Sequence, residues 1–358
     1  MDKSDGMNYA PVGKKDKVVK KGKFSFAAIG LDHGHIYGMC NGLIEAGAEL
    51  KLVYDSDPQK TKEFKEKFPQ VKVVETEAEI YNDQNIDLIA CASIPVDRYR
   101  IGLKALASGK NFFSDKPGFT KLEQIKKAKE KVEKTGLRWG VYYSERIHVE
   151  SAVYAGQLID QGAIGRVIQV IGTGPHRIRE NKRPDWFFNP EQYGGILCDI
   201  GSHQIEQFLH YAGAEDAEVL HSKIANYKYK QYSGFHDFGD AALAADNGAT
   251  FYFRVDWFTP DGLGSWGDGR VTILGTDGYI EVRKYIDIAR DKTGDHLYLV
   301  NNEGEKHFEL AGEVGFPFFG EFILDCINGT EDSMTQSHIF KAAELSVKAQ
   351  EKALWIEK

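Results

Sequence analysis

At 358 residues the chain is long enough for about two domains, and a core of that size needs no disulfide or metal staple. Acidic residues (53) outnumber basic ones (45), for a net charge of −8, which excludes the basic surface that nucleic-acid or anionic-membrane binding requires. Glycine is abundant (37) and proline scarce (10) without any repeat period, which excludes collagen-like and low-complexity chains.

Residues 1–23 are polar and lysine-rich and are expected to form a solvated arm; they lack the apolar stretch of a secretory leader. From Phe24, short apolar runs alternate with helical periodicity. The strands expected are Phe24–Ile29, Leu50–Tyr54, Val71–Val74, Asp87–Ala92 and Asn111–Ser114. Between and after them lie helices at Ile36–Ala46, Pro58–Phe68, Val96–Ser108 and Leu122–Thr135. That alternation predicts a doubly wound parallel sheet over residues 24–145.

The pattern then changes. One helix, Val149–Gln161, leads into strand-like stretches at Arg166–Gly172, Ala217–Ala225, Ala241–Ala245, Ala249–Trp257, Arg270–Leu274, Tyr279–Val282 and His296–Asn301. Asp-Gly pairs at 261–262, 268–269 and 277–278 separate several of them. A second α/β domain over 146–358 is expected, with a large, mostly antiparallel open sheet. Helices Pro317–Ile327 and Ser337–Trp355 close it, the last free to pack on either domain. An open sheet with an uncovered apolar face seeks a partner, so a homo-oligomer (dimer or tetramer) is expected. The four cysteines lie far apart with no zinc spacing, and no apolar run approaches the ~18 residues of a membrane helix. A cytoplasmic protein with free thiols is expected.

The first strand–helix turn reads Ile29-Gly30-Leu31-Asp32-His33-Gly34-His35, and Asp55 closes the second strand 25 residues after Gly30. A dinucleotide fold places its tight glycine turn, its helix N-terminus for the pyrophosphate and its ribose-binding acid at such positions. No arginine follows Asp55 within a few residues to receive a 2′-phosphate, which favours NAD over NADP. The pattern G-x-G-x-x-G would put glycines at 30, 32 and 35, and only Gly30 fits. Asp32 puts a carboxylate where backbone should approach phosphate, unless it turns away or is hydrogen-bonded. Asp32, His33 and His35 have no further ligand at recognisable spacing, so no metal site is expected.

Three later segments carry a family resemblance. Phe113-Ser114-Asp115-Lys116-Pro117 resembles the Glu-Lys-Pro signature of the Gfo/Idh/MocA oxidoreductases, with Asp115 in place of Glu. Gly194-Gly195-Ile196-Leu197-Cys198-Asp199-Ile200-Gly201-Ser202-His203 is similar to their glycine-rich D-x-G-x-H segment. Arg270–Ile280 resembles their late sheet turn. The resemblance implies a Rossmann domain, a bound nicotinamide cofactor and chemistry at a carbinol carbon of a sugar, glycoside or polyol. It further points to Ser93, Pro95 and Tyr143 on the cofactor, alongside Gly30, Asp32, His33, Gly34, His35, Asp55 and Asp115, and to Arg146 on the substrate. Tyr99 stands where the family has a histidine, and Ser144 where it has Asn.

Hydride transfer from a secondary alcohol needs a base on the hydroxyl and a cation for the developing alkoxide. His203 is the natural base, Lys116 orients the oxygen and reaches the cofactor, and Asp199 holds a second hydroxyl or sets the charge of its neighbours. His176, Arg179, Arg183 and Trp186 form a polar–aromatic stretch before the glycine motif, suited to gripping a sugar, with core packing an open alternative for Trp186. The reading is an NAD-dependent dehydrogenase. Two alternatives stand beside it: a glycosidase or lyase that uses resident NAD through transient sugar oxidation, and a non-catalytic dinucleotide-binding protein.

Overall fold

Consecutive apolar residues in short runs demand burial on both faces, and the first half of the chain meets that demand with helices on a parallel sheet. The computed structural model describes residues 5–14, 16–290 and 292–356, and its contacts divide the chain into two units. One holds Met7–Tyr142 with Phe316–Phe340. The other holds Tyr143–Gly315 with the chain from Lys341 onward and the described residues before Met7.

The parallel-sheet unit runs β1 (Ser25–Ile29), α1 (His35–Glu45), β2 (Glu49–Tyr54), α2 (Pro58–Lys67), β3 (Lys72–Val73), α3 (Glu77–Asn82), β4 (Leu88–Cys91), α4 (Pro95–Ala107), β5 (Asn111–Asp115), α5 (Leu122–Thr135) and β6 (Trp139–Tyr142). The strand order is β3-β2-β1-β4-β5-β6, every pair parallel, so the order reverses between β1 and β4. Every residue of β1, β4, β5 and β6 is buried. Helix ends follow local chemistry. Asp57 caps α2 through Gln59 N–H with Pro58 at the first position, and Gly136 ends α5 in the left-handed region.

The nine-stranded unit opens with α6 (Ser144–Ile147), α7 (Glu150–Asp160) and β7 (Val167–Pro175). There follow α8 (Pro190–Tyr193), α9 (Ile196–Asp199), α10 (Gly201–Ala212), β8 (Ala217–Ala225), β9 (Phe238–Ala245) and β10 (Thr250–Asp256). Then come β11 (Arg270–Gly275), β12 (Gly278–Arg283), β13 (His296–Asn301) and β14 (Gly304–Glu309). The order is β14-β13-β12-β11-β7-β10-β9-β8-β15, where β15 is Leu354–Ile356. Pairing is antiparallel except for β7 with β10 and β8 with β15. On one face α10 covers β7 and β10, with Phe208 stacked on Phe251 at 4.8 Å. Ile171, Tyr252, Leu274 and Tyr279 are each about two-fifths exposed, and the strand register sets them on neighbouring strands.

Helix α11 (Pro317–Asn328) returns to the parallel-sheet unit, where Phe318 and Phe322 meet Phe113 of β5. Helix α12 (Gln336–Glu351) ends four residues before the expected Trp355. Leu354, Trp355 and Ile356 instead pair with Lys223, Ile224 and Ala225, because a short apolar, β-prone run meets the open hydrogen-bonding edge of β8. Of the lysine-rich stretch, Met1–Ser4 and Lys15 lie outside the described residues. Asp5 is buried, and the N–H of Gly13 donates to Glu45 Oε2 at 3.0 Å. The four cysteines are free, and no helix among the described residues is long and apolar enough to cross a membrane.

Candidate active site

β1 is followed directly by Gly30, whose φ is +77° and where a Cβ would lie 2.5 Å from Ser93 Cβ, so only glycine fits. Its N–H donates to Tyr54 O and its carbonyl accepts from Ala92 N–H, each at 3.1 Å, which pins the turn between β2 and β4. Asp55 follows β2 and accepts the N–H groups of Leu31 (2.6 Å) and Asp57 (2.8 Å), one on each oxygen. A cavity of about 240 Å³ opens among Gly30, Tyr54, Asp55, Ser93 and Ile94, at the carboxyl ends of β1, β2 and β4. That is the switch point where open α/β sheets hold ligands. Buried Pro95 opens α4 beside it. The glycine cradle, the acid with lone pairs to spare and the cavity fit the adenosine half of a dinucleotide. Asp32, Asp55, Glu77 and Asp97 all line this cavity, with Arg100 as the lining cation.

Asp32 stays on the cavity wall but is hydrogen-bonded: its carboxylate pairs with Lys60 Nζ (2.5 Å) and accepts from Ile94 N–H (3.2 Å). Gly34 stands at the N-terminus of α1. His33 and His35, expected on the cofactor, direct their Nδ1 atoms at Asp115, at 3.2 and 2.9 Å. Arg98 adds a third contact at 3.1 Å, and Lys116 N–H a fourth at 2.7 Å. Burial acts to raise the Asp115 carboxyl, yet Arg98, His35 and His33 hold it well below the usual carboxylate range. Burial and the neighbouring His35 push His33 well below the usual imidazole value, so it is neutral at pH 7.

Lys116 follows β5 directly, is buried, and precedes a cis peptide bond to Pro117. Arg98 holds the loop in place, donating to Ser93 O at 2.7 Å, to Pro117 O at 3.1 Å and to Lys116 O. Arg98 is fully buried and was not singled out from sequence; its only trace there is one arginine three residues into a Pro-opened helix.

The nine-stranded unit carries the other expected residues. Gly194 and Gly195 both have φ near +90°, and a Cβ on Gly195 would meet the Gln350 side chain, whose Oε1 accepts Leu197 N–H at 3.0 Å. This turn launches α9 and α10, which carry Asp199 and His203, both buried. Tyr143 lies edge-on to His203 at 6.4 Å, within the same unit. Arg146 makes a buried ion pair with Glu206 at 2.5 Å. His176 packs against Trp257 (5.4 Å) and Trp266 (4.5 Å), two aromatics that were not singled out from sequence.

A second acid and base appear here without any sequence signal. Glu145 Oε2 accepts from Lys284 Nζ (2.8 Å) and Gln204 Nε2 (2.9 Å), and Oε1 lies 4.0 Å from His176 Nε2. Burial works to raise the Glu145 carboxyl, but Lys284, His203 and His176 hold it down at about 2. Burial lowers Lys284 from its ordinary range.

Arg183 and Trp186 are both buried. Arg183 donates to Ile178 O (2.7 Å) and lies over the Phe187 and Trp257 rings (4.6 and 5.3 Å). Arg179 has φ +50° and, with Arg177, Lys228, Tyr229 and Trp257, lines a cavity of about 360 Å³. The aromatic wall of that cavity is Trp257 and Tyr229; Trp186 packs against Phe187 instead.

Residues 26–143 match the family model described as an oxidoreductase family with an NAD-binding Rossmann fold, and residues 153–281 match the GFO/IDH/MocA C-terminal domain. The chain is 28% identical to scyllo-inositol 2-dehydrogenase (NAD(+)) of Bacillus subtilis strain 168, across 84% of this chain and 83% of that protein. It is 54% identical, with TM-score 0.91, to the crystal structure of a candidate oxidoreductase from Erwinia carotovora atroseptica, covering 94% of this chain and all of that one. Myo-inositol 2-dehydrogenase from Lactobacillus plantarum, at 18% identity and TM-score 0.71, shares the fold over 92% of this chain and 97% of its own.

Proposed function

The chain belongs to the Gfo/Idh/MocA oxidoreductase family, with an NAD-binding Rossmann unit, and from that footing we propose that it is a dehydrogenase acting on a secondary hydroxyl of a sugar, glycoside or polyol. The observation that carries the reading is Lys116, a buried lysine at the carboxyl edge of the parallel sheet, its loop held by Arg98 and its N–H by Asp115. Two relatives at 28% identity, a scyllo-inositol 2-dehydrogenase and a D-xylose dehydrogenase, are named for substrates of this class.

NAD, when bound, supplies the hydride acceptor. Gly30 and Asp55 would hold its adenosine half, with the Asp32 charge offset by Lys60. His203 takes the hydroxyl proton, the Lys116 ammonium donates to the reacting oxygen, and Asp199 receives a second hydroxyl. Glu145, ionised beside His203, favours the imidazolium formed when His203 accepts that proton. Arg179 and Trp257, on the 360 Å³ cavity, suit the polar edge and apolar face of a sugar ring. The exposed Ile171, Tyr252, Leu274 and Tyr279 suit self-association.

NADH formation with a panel of inositols, aldoses and glycosides tests this reading. Lys116→Ala is expected to slow turnover by about 10²–10⁴-fold while NAD still raises the melting temperature. A near-wild-type rate in that variant refutes the assignment. Product formation without net NADH would point instead to a glycosidase or lyase with resident NAD.

A further inference from the structure

On the outer hairpin of the nine-stranded sheet, three side chains that no cofactor or substrate role uses come together. His296 opens β13, and its direct cross-strand partner on β14, the edge strand, is Glu309. His307 stands two residues before Glu309 and so points to the same face, diagonal to His296. The ligand atoms of His296, His307 and Glu309 all lie within 4.8 Å of one another. We propose that they bind one divalent transition-metal ion of the zinc class, with the open fourth position left to water.

The nitrogens set the geometry. His296 Nδ1 and His307 Nε2 are 3.1 Å apart. Two imidazole nitrogens at ordinary Zn–N distances and a near-tetrahedral angle sit roughly 3.3 Å apart, so the pair already has the span of a chelate. The other nitrogen of His296 contacts Thr293 Oγ1 at 3.0 Å, the outer hydrogen bond that fixes a ligating ring. Tyr298 stacks on His307 at 4.6 Å and limits its rotation. A neutral imidazole can move its proton to the other ring nitrogen, so both lone pairs can face one ion without a change in ring charge. Glu309 supplies the negative charge; Arg283 is neutralised by Asp287 and Glu281, and Arg290, the cation that acts on His307, is solvent-exposed, unlike a buried guanidinium fixed in place. Two imidazoles and one carboxylate suit Zn²⁺, Ni²⁺ or Cu²⁺, whereas Mg²⁺ and Ca²⁺ prefer all-oxygen shells.

The contrast with His33, His35 and Asp115 is instructive. Those atoms also cluster, but both imidazoles already contact the carboxylate, and Arg98 sits 3.1 Å from it, so a cation there would face a fixed guanidinium. The hairpin site was invisible in the sequence because its ligands meet only through the β13–β14 register.

The test uses the full chain without a histidine tag, stripped with chelator and titrated with Zn²⁺ by calorimetry, and with Co²⁺ for the visible absorption of a low-coordinate site. One equivalent is expected to bind and raise the melting temperature, with Mg²⁺ doing neither. His307→Ala should abolish the stoichiometric event and Glu309→Gln should weaken it several-fold, and both positions are solvent-accessible enough for the variants to fold. Absence of stoichiometric Zn²⁺ uptake, or uptake unchanged in both variants, overturns the proposal.

Discussion

Removing Lys284 should unmask a buried electrostatic commitment of the nine-stranded unit. Glu145 and Lys284 are both buried, 2.8 Å apart, with side chains 2% and 0% exposed. A carboxyl that titrates at about 2 instead of its ordinary 4.5 contributes about 3 kcal/mol to folding once ionised. The folded value lies below the unfolded one, so this contribution is complete above about pH 4.5 and is lost as pH falls toward 2. Burial of the Lys284 ammonium works in the other direction at neutral pH, so the net worth of the pair is smaller. Lys284→Met leaves a buried carboxylate with Gln204 as its remaining direct donor and should cost about 3–5 kcal/mol. Glu145→Gln strands the ammonium and should cost a similar amount. The double variant, neutral at both positions, should recover a coupling energy of at least about 2 kcal/mol. Urea unfolding followed by tryptophan fluorescence, from pH 7 down to pH 3, measures all of these. A loss below about 1 kcal/mol in Lys284→Met, strict additivity in the double variant, or an acid limb unchanged by Glu145→Gln would refute the reasoning.

Two further outcomes follow from the cofactor crevice. Gly30→Ala forces a Cβ to 2.5 Å from Ser93 Cβ at a φ of +77°, so it should lower stability by at least about 1–2 kcal/mol and abolish the NAD-induced rise in melting temperature; wild-type behaviour in both counts against the turn's role. Asp32, Glu77 and Asp97 on the cavity beside Gly30 are ion-paired with Lys60, Lys104 and Arg100, which leaves Asp55 as the carboxylate facing a 2′-phosphate; NAD should bind at least about tenfold more tightly than NADP, and Asp55→Ser should narrow that ratio; fluorescence titration giving equal affinities would contradict it.

Most strands that sequence pattern located, such as β1, β2, β4, β5, β8 and β10, are runs of apolar or alternating residues whose side chains are buried on at least one face; β3 is the exception, both its residues being exposed while the flanking Val71 and Val74 are buried. Those it missed carry a weaker signal in the sequence. β6 is four residues with a glycine at its second position, and β14 reads Gly-Glu-Lys-His-Phe-Glu with no residue buried. β15 was absorbed into the preceding helix because three apolar residues carry no period of their own. The candidate site divides in the same way. Gly30 and Asp55 were legible from spacing, and Lys116, Asp199 and His203 from motif resemblance. Arg98, Glu145, Lys284 and Trp257 were not, because their importance comes from contacts made across long stretches of chain. Glu145 and Lys284 are 139 residues apart in sequence, and nothing local marks either as a buried ion.

The departures from the dinucleotide and Glu-Lys-Pro patterns are explained by one another. Asp32, where the pattern has glycine, is matched by Lys60 from α2 and by the N–H that opens α4, so its charge is spent inside the fold. His35, in place of the helix-packing glycine, meets Asp115, in place of the signature Glu, at 2.9 Å. The shorter side chain at 115 also accepts the Lys116 N–H and lies 3.2 Å from His33 and 3.1 Å from Arg98, all around one buried carboxylate. A glycine at 35 would remove one of those donors, and a longer acid at 115 would have to displace them. The irregular turn and the altered signature are therefore one electrostatic unit, and its product is a fixed backbone for Lys116. Burying a carboxylate among two imidazoles and a guanidinium is costly unless each pairing is kept, so the four positions should vary together or not at all.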